Sequence, residues 1–366
     1  MTKSRATLED VARLAGVSLG SASRALSVPG EVRPDTLERV QRAVAQLGYV
    51  RNGAAQALAS RRTRTIAAIY PTLDNPIFAV SIQSLQQTLW GRGYQLLVAS
   101  HDYEPVREID LLRAIVERGV DGIVLVGTDH ADGVYDVQRQ YGLPCVLSFA
   151  VDESRPGQCV GFSYFDAAQR MASLVAENGH TRIALCPGVA DGNERVRARI
   201  QGTRAGLAMH GLALRDDWIV QRPFTFEGGR SAVAQLFDTS EPPTVLICGT
   251  DIQAVGAIGE CRDRGIRVPE DLSITGSDDI ELASLVDPRL TTVQVPTAEV
   301  GRLCAERIVD LIEGRPQAEA NSLQTTLVLR ESLKDIRAPA PLGKAHGSKR
   351  HSPKSRSSKP TQERQT

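Results

Sequence analysis

The chain has 366 residues, enough for two or three domains, and its 43 Lys/Arg balance its 43 Asp/Glu to a formal net charge of zero. That balance hides an uneven spread of +5 over residues 1–62, −11 over 63–338 and +6 over 339–366, as expected of a nucleic-acid-binding arm on an acidic core. The absence of an apolar N-terminal run and of any stretch able to span a bilayer excludes a signal peptide and a membrane span, and predicts a cytoplasmic protein. The six cysteines form no C-x-x-C pair and lie mostly in apolar runs, where reduced cysteine behaves as a small hydrophobe.

Thr7 with Asp10 three residues on predicts a capping box, and Leu8, Val11, Ala12 and Ala15 recur at helical spacing behind it. Gly16 supplies a turn. Ser18 is expected to cap a second helix with Ala22, Ala25 and Leu26 inward and Leu19, Gly20, Ser21, Ser23 and Arg24 outward. The outward residues are mostly small, so this helix can approach base edges in a major groove, and one bidentate arginine contact there is worth roughly 1–3 kcal/mol of discrimination. Thr7, Ser18, Ser27 and Arg33 border that face and complete the DNA-contacting set in the head. The alternative is a small helical pair with a solvated face. Arg33 and Pro34 open a third helix whose stripe is Leu37, Val40, Val44 and Leu47, ended by Gly48. Asn52 can cap a further helix from Gly53 to Ser60. Alone it is too short to persist in water, so it is expected to order on DNA or in a dimer, with Asn52, Ala55, Gln56 and Leu58 at the DNA and Leu58 as a minor-groove wedge.

From Thr65 the texture becomes α/β. Strands are predicted at Thr65–Tyr70, Leu96–Ala99, Gly122–Val126 and Pro144–Phe149, with helices at Asn75–Arg92 and Val106–Arg118. The pattern restarts after Phe162 with helices at Asp166–Glu177, Arg197–His210, Gly229–Phe237 and Ile252–Arg264, and strands at Arg182–Cys186, Thr244–Cys248 and Leu272–Gly276. Pro288–Val293 crosses back, helix Thr297–Ile312 follows, and strand Leu323–Leu329 closes the core. Continuous apolar strands alternating with helices predict parallel sheets covered on both faces. The expected fold is thus an α/β core of two doubly wound parallel-sheet lobes behind a small all-α helix-turn-helix domain. Residues from 339 on lack apolar periodicity and predict a disordered basic tail without a tetramerising coil.

Ligands of such sheets bind beyond the carboxyl ends of the strands. The loops there carry Phe78, Phe149, Phe162, Arg199, Phe224, Thr250, Asp251 and Asp278, and these are the candidate effector contacts. Phe78 and Phe162 fit the core equally well, Asp251 fits a cap for the helix that follows it better than a ligand contact, and Asp279 can pair with an arginine. Arg199 and Asp278 are the leading candidates.

Together, T-L-E-D-V-A-R-L-A-G-V-S-x-x-S-x-S-R and the later G-Y-V-x-N and A-L-A resemble the lactose/galactose repressor family of bacterial transcription regulators, from about Ala6 to Lys334. The resemblance implies a homodimer on a pseudo-palindromic operator and a periplasmic-binding-protein-like core that takes a small effector. It places Leu19 and Gly20 at base-choosing positions, Arg24 in the recognition helix, Ala55 and Leu58 in the minor groove, and Arg199, Phe224 and Asp278 at the effector. Phe149, Ser163-Tyr164, Thr250 and Val295 depart from the family pattern and reduce its polar lining. The implied division is a head over 1–50, a hinge helix over 51–62, and a core over 63–338. Lobe 1 is about 63–162 and 294–323, lobe 2 about 163–293 and 324–338, and the tail is 339–366. No cofactor or metal is expected. A transport binding protein would need an export signal and no basic head. An enzyme would need a phosphate loop, dinucleotide fingerprint, metal spacing or nucleophile elbow, and the sequence has none. A ligand-modulated repressor is the reading.

Overall fold

Thr7 sits in extended backbone and caps α1 (Leu8–Ala15). Its Oγ1 accepts from Asp10 N at 3.3 Å while Asp10 Oδ2 accepts from Thr7 N at 3.0 Å, a reciprocal capping box. Gly16 ends α1 at φ +64, where a side chain would be strained. Ser18 Oγ accepts from Ser21 N at 3.1 Å and starts α2 (Leu19–Ser27). Pro34 opens α3 (Pro34–Leu47) at a position that needs no N–H, and Gly48 closes it at φ +58. The three helices share a core of Val11, Ala12, Ala15, Ala22, Ala25, Val40 and Ala43. Arg51 ties it at the rim by donating to Leu26 O at 2.8 Å and Ser27 Oγ at 2.7 Å.

The computed structural model describes residues 6–51, 53, 57, 62–152, 154–155, 157–316 and 322–337. Most of the predicted hinge helix, including Asn52, Ala55, Gln56 and Leu58, and the tail over 339–366 lie outside the described residues.

Lobe 1 runs β1 (Thr65–Tyr70), α4 (Pro76–Gly91), β2 (Gln95–Ser100), α5 (Pro105–Arg118), β3 (Gly122–Val126), α6 (Asp132–Gln140), β4 (Cys145–Ser148) and β5 (Cys159–Val160). Its sheet is parallel, in the order β2-β1-β3-β4-β5. Alternation along β1 sends Ile66, Ala68 and Tyr70 into one apolar cluster and Ala67 and Ile69 into another, so both faces are covered and the strand reads as an unbroken apolar run. Lobe 2 runs α7 (Tyr164–Glu177), β6 (Ile183–Cys186), α8 (Glu194–Ala208), α9 (Phe226–Phe237), β7 (Val245–Cys248), α10 (Asp251–Asp263) and β8 (Ser273–Thr275), with parallel sheet order β6-β7-β8. β9 (Thr292–Gln294) then crosses over, α11 (Thr297–Ile312) packs back on α4, and β10 (Thr326–Val328) pairs antiparallel with β9. Among the described residues no helix is long and apolar enough to cross a membrane.

Several boundaries differ from expectation for local reasons. The strand expected to reach Phe149 stops at Ser148, because Phe149 turns to φ +54. Helices expected at Asp166, Arg197 and Gly229 begin earlier, where Ser163, Asn193 and Thr225 side chains accept backbone N–H groups and supply the caps. The closing strand shrinks to Thr326–Val328, the length that β9 can pair. The unexpected elements are α6, β5 and three short 3-10 turns at Pro29–Glu31, Asp216–Trp218 and Glu281–Ser284.

Candidate DNA-binding face and ligand cleft

On the head, Leu19, Gly20 and Arg24 of α2 are exposed and Ser21 and Ser23 half-exposed, while Ala22 and Ala25 are buried beneath them. The cations of the head differ in their commitments. Arg13 pairs with Asp10, Arg39 with Asp35, Arg42 with Glu38, and Arg51 donates inward. The side chains of Arg24 and Arg33 form no ion pair or hydrogen bond among the described residues, so both guanidinium groups remain available to phosphate or guanine. The structure gives Ser27 another role: its hydroxyl donates to Ser23 O at 2.8 Å and accepts from Arg51, so it holds the head together. Thr7 and Ser18 act through their caps.

In the core, loops at the carboxyl ends of strands meet between the lobes. Five non-glycine residues there hold positive φ: Asp102 and Tyr103 after β2, Phe149 after β4, and Asp278 and Asp279 after β8. Such backbone persists only where surrounding structure over-determines it, and it concentrates at ligand sites. Arg199, on α8, is 8% exposed. Its guanidinium carbon stacks 4.5 Å from the Tyr164 ring centre and 5.7 Å from that of Phe224, and Phe224 in turn lies 6.2 Å from Tyr103. Burial lowers the Arg199 pKa, while the Tyr164 and Asp278 charges act against that fall. Asp278 is 5% exposed and neither carboxylate oxygen has a hydrogen-bond partner. Burial, reinforced by the Asp251 charge, pushes its pKa well above the usual carboxylate range, with Arg199 opposing. A cavity of about 660 Å³ lies beside this group, with Tyr103, Asn193 and Phe224 and the carboxylates of Asp74, Asp102 and Asp191 on its wall. A second, of about 640 Å³, opens on Asp278 beside Gln294 and Pro296 of the crossover. Both are of a size to take a small metabolite.

The lobes are tied where α8 begins. Thr128 N donates to Glu194 Oε1 at 2.8 Å, Arg195 Nη1 to Val126 O at 3.1 Å, and Arg197 Nη2 to Asp129 Oδ2 at 2.8 Å. Together they fix the end of β3 and the loop after it to the helix that carries Arg199. A Cβ on Gly127 would meet Arg195 Nη1 at 1.8 Å, so glycine is what lets the arginine through.

Residues 7–52 match the model for bacterial regulatory proteins of the lacI family, and residues 172–333 match that for a periplasmic binding protein-like domain. The ribose operon repressor of Haemophilus influenzae is 32% identical over 338 residues, which is 91% of this chain and 100% of that protein. The chain belongs to the LacI family. The transcriptional repressor CytR of Escherichia coli is 31% identical over 335 residues, 90% of this chain and 97% of the repressor. A LacI-family regulator from Silicibacter pomeroyi superimposes with a TM-score of 0.77 at 27% identity, covering 90% of this chain and 99% of the other. The protein is therefore a DNA-binding transcription regulator with an effector-binding core, and its relatives are transcriptional regulators rather than enzymes.

Within this LacI-family core the predicted effector contacts separate into two groups. Arg199, Phe224 and Asp278 come together. Phe78, Phe149 and Phe162 are 4%, 0% and 1% exposed, and Phe78 packs between Tyr70 and Phe149, so they are core aromatics behind the loops. Thr250 rather than Asp251 is the cap of α10: its Oγ1 accepts from Gln253 N at 3.4 Å. Asp251 is the first residue of that helix and fully buried. Its oxygens accept from Thr292 Oγ1 at 2.5 Å and Ile280 N at 2.9 Å, which pins the crossover strand instead of facing a ligand. Asp279 pairs with Arg330 at 2.7 Å. Sequence reasoning missed Tyr103, Tyr164 and Arg195. Only the placement of Ser163-Tyr164 before a helix and the i, i+4 spacing of Arg195 and Arg199 hinted at them.

Proposed function

We propose that this LacI-family regulator binds a pseudo-palindromic operator as a homodimer in the cytoplasm, and that a small effector held between the lobes alters its grip. The observation that carries the reading is the joint presence of an α2 face with small residues and an uncommitted Arg24, and a cleft with an unpartnered Asp278 and an unpaired Arg199. The proposed division is a head over 1–50, a hinge over 51–62 and a two-lobed core over 63–338. Leu19, Gly20, Ser21, Ser23 and Arg24 would meet bases or phosphates, with Asn52, Ala55, Gln56 and Leu58 at the hinge. Arg199, Phe224 and Asp278 would hold the effector, joined by Tyr103 and Tyr164. An effector shifts the operator equilibrium only by its differential affinity for the two lobe arrangements. The ties from Glu194, Arg195 and Arg197 to the loop after β3 are where those arrangements would differ.

Arg24→Ala tests the DNA face. Loss of a base or phosphate contact should weaken binding to the preferred duplex about tenfold or more in a gel shift, with a smaller change on random duplex. Equal loss on both would remove Arg24 from sequence selection.

A further inference from the structure

We propose that Arg51 is a positioning residue for operator recognition: from the chain that leaves the head it caps the end of α2, and so sets the angle at which the recognition helix is presented to DNA. This rests on the reading of the α2 face as the surface that meets the duplex.

An α-helix ends in carbonyl groups that find no partner within it, at the negative end of its dipole. In α2 a cation from elsewhere in the chain answers both needs. Arg51, 25 and 24 positions beyond the residues it bonds, donates from Nη1 to Leu26 O at 2.8 Å and from Nη2 to Ser27 Oγ at 2.7 Å. The Ser27 hydroxyl carries the tie further by donating to Ser23 O at 2.8 Å, and Val28 N closes the last turn on Arg24 O at 2.8 Å. The turn held in this way is the one that bears Ser23 and Arg24. Two donors of one planar group fix direction as well as distance, which the point charge of a lysine does not. Arg39 caps α1 through Ala15 O at 3.2 Å, but it does so from α3, inside the head.

The same residue fixes the path of the chain. After Gly48 turns at φ +58, Tyr49 N donates to Val44 O at 3.1 Å and the Tyr49 side chain packs on the head core. Val50 then stands out, 64% exposed, and Arg51 reaches back to α2. The chain is thus anchored on both sides of Val50, to α3 and to α2, before position 52.

This matters because a dimer places two heads on one duplex. Once one head is bound, the second binds as an intramolecular event, whose strength depends on how often its orientation fits the second half-site. A recognition helix tied to the exit of its own chain samples fewer orientations. That strengthens binding at one half-site spacing and weakens it at the others. Without Arg51 the chain pivots beyond Tyr49 and the spacing preference relaxes.

The experiment is gel-shift titration of the full-length protein on four duplexes: the inverted repeat selected from a random library, copies with the half-sites one base pair closer and one farther apart, and random sequence. Arg51→Ala should weaken binding to the selected repeat about tenfold, change random duplex less than about twofold, and bring the three spacings within about threefold of one another. The slope of log affinity against log salt should stay the same, because no phosphate contact is lost. Arg51→Lys should recover part of the loss. Ser27→Ala removes one of the two acceptors and should give the same pattern in weaker form; it carries the test if Arg51→Ala does not fold. Equal loss on every duplex, with a salt slope shallower by about one, would make Arg51 a phosphate contact and overturn the proposal. An unchanged spacing preference would overturn it too, whatever the variant does to the melting temperature. A parent protein that selects no inverted repeat would overturn the regulator reading and this inference with it; the parent is measured first, so the two failures are distinguishable.

Discussion

Two adjacent carboxylates at the end of β8 have opposite fates. Asp279 pairs with Arg330 and accepts from Gln294 Nε2 at 3.0 Å, while Asp278 turns into the cleft without a partner. Both hold positive φ, +122 and +53, in the turn after β8, and this departure from strand backbone sends the two side chains to different surroundings. Beneath them Asp251 is held at a pKa of about 6, raised first by burial and only partly countered by its bonds to Thr292 and Ile280. The folded state therefore binds that proton more tightly than the unfolded polypeptide does. The stabilisation is complete below about pH 4 and disappears as pH rises through about 6. Core stability should fall across that window. Asp251→Asn should lessen the dependence in urea denaturation followed from pH 4 to 7, leaving the part carried by Asp278, whose carboxyl burial also raises; a variant whose stability falls in parallel with the parent would rule out Asp251 as a contributor. Exposed carboxylates bonded to arginine, such as Asp271 and Asp335 at about 2, release their protons below this window. Asp278 was legible in the sequence because it follows a strand at the ligand end of a sheet, and Arg199 because it lies in the first half of a helix that follows such a strand. Tyr103 was not, since its place opposite Phe224 depends on two lobes meeting and on backbone at φ +61.

At the scale of elements, close helix crossings depend on glycine. Gly202 and Gly206 lie four apart on α8, and a Cβ at either would come within 2.2 and 2.3 Å of Phe165 O and Gln169 O on α7. Gly301 on α11 stands in the same relation to Ser81 O of α4, at 2.2 Å. Gly206→Ala forces two backbones apart, an overpacking that costs about 1–3 kcal/mol. The melting temperature should fall by several degrees while the head, read by its own circular dichroism on operator, still binds. An unchanged melting temperature would mean the helices can separate freely. The elements themselves were legible wherever an apolar run or a cap announced them, and β1, β3 and α11 begin and end where the sequence places them. The short α6 was not, because only Val134 and Val137 of its nine residues are buried, too few to set a period. The two-residue β5 exists only through its pairing with β4. The three ties from the start of α8 to the loop after β3 were also invisible, being contacts between segments nearly seventy positions apart.

For the whole molecule, a head with uncommitted cations and a core with an unsatisfied cleft are two incomplete surfaces on one polypeptide. The fold class was legible because alternating strands and helices leave few arrangements, and the charge partition marked the DNA-binding end although the overall charge is zero. The central claim is that the head chooses sequence and that cleft occupancy changes its hold. Selection of the full-length protein on a randomised duplex library, repeated with and without the sugar, sugar acid or purine that most raises the melting temperature of the core, tests it most directly. The account predicts enrichment of an inverted repeat bound at least a thousandfold more tightly than bulk DNA, with that affinity shifted at least fivefold by this ligand. Binding that is indifferent to sequence, or an inverted repeat whose affinity is unmoved when the cleft is saturated, would contradict it.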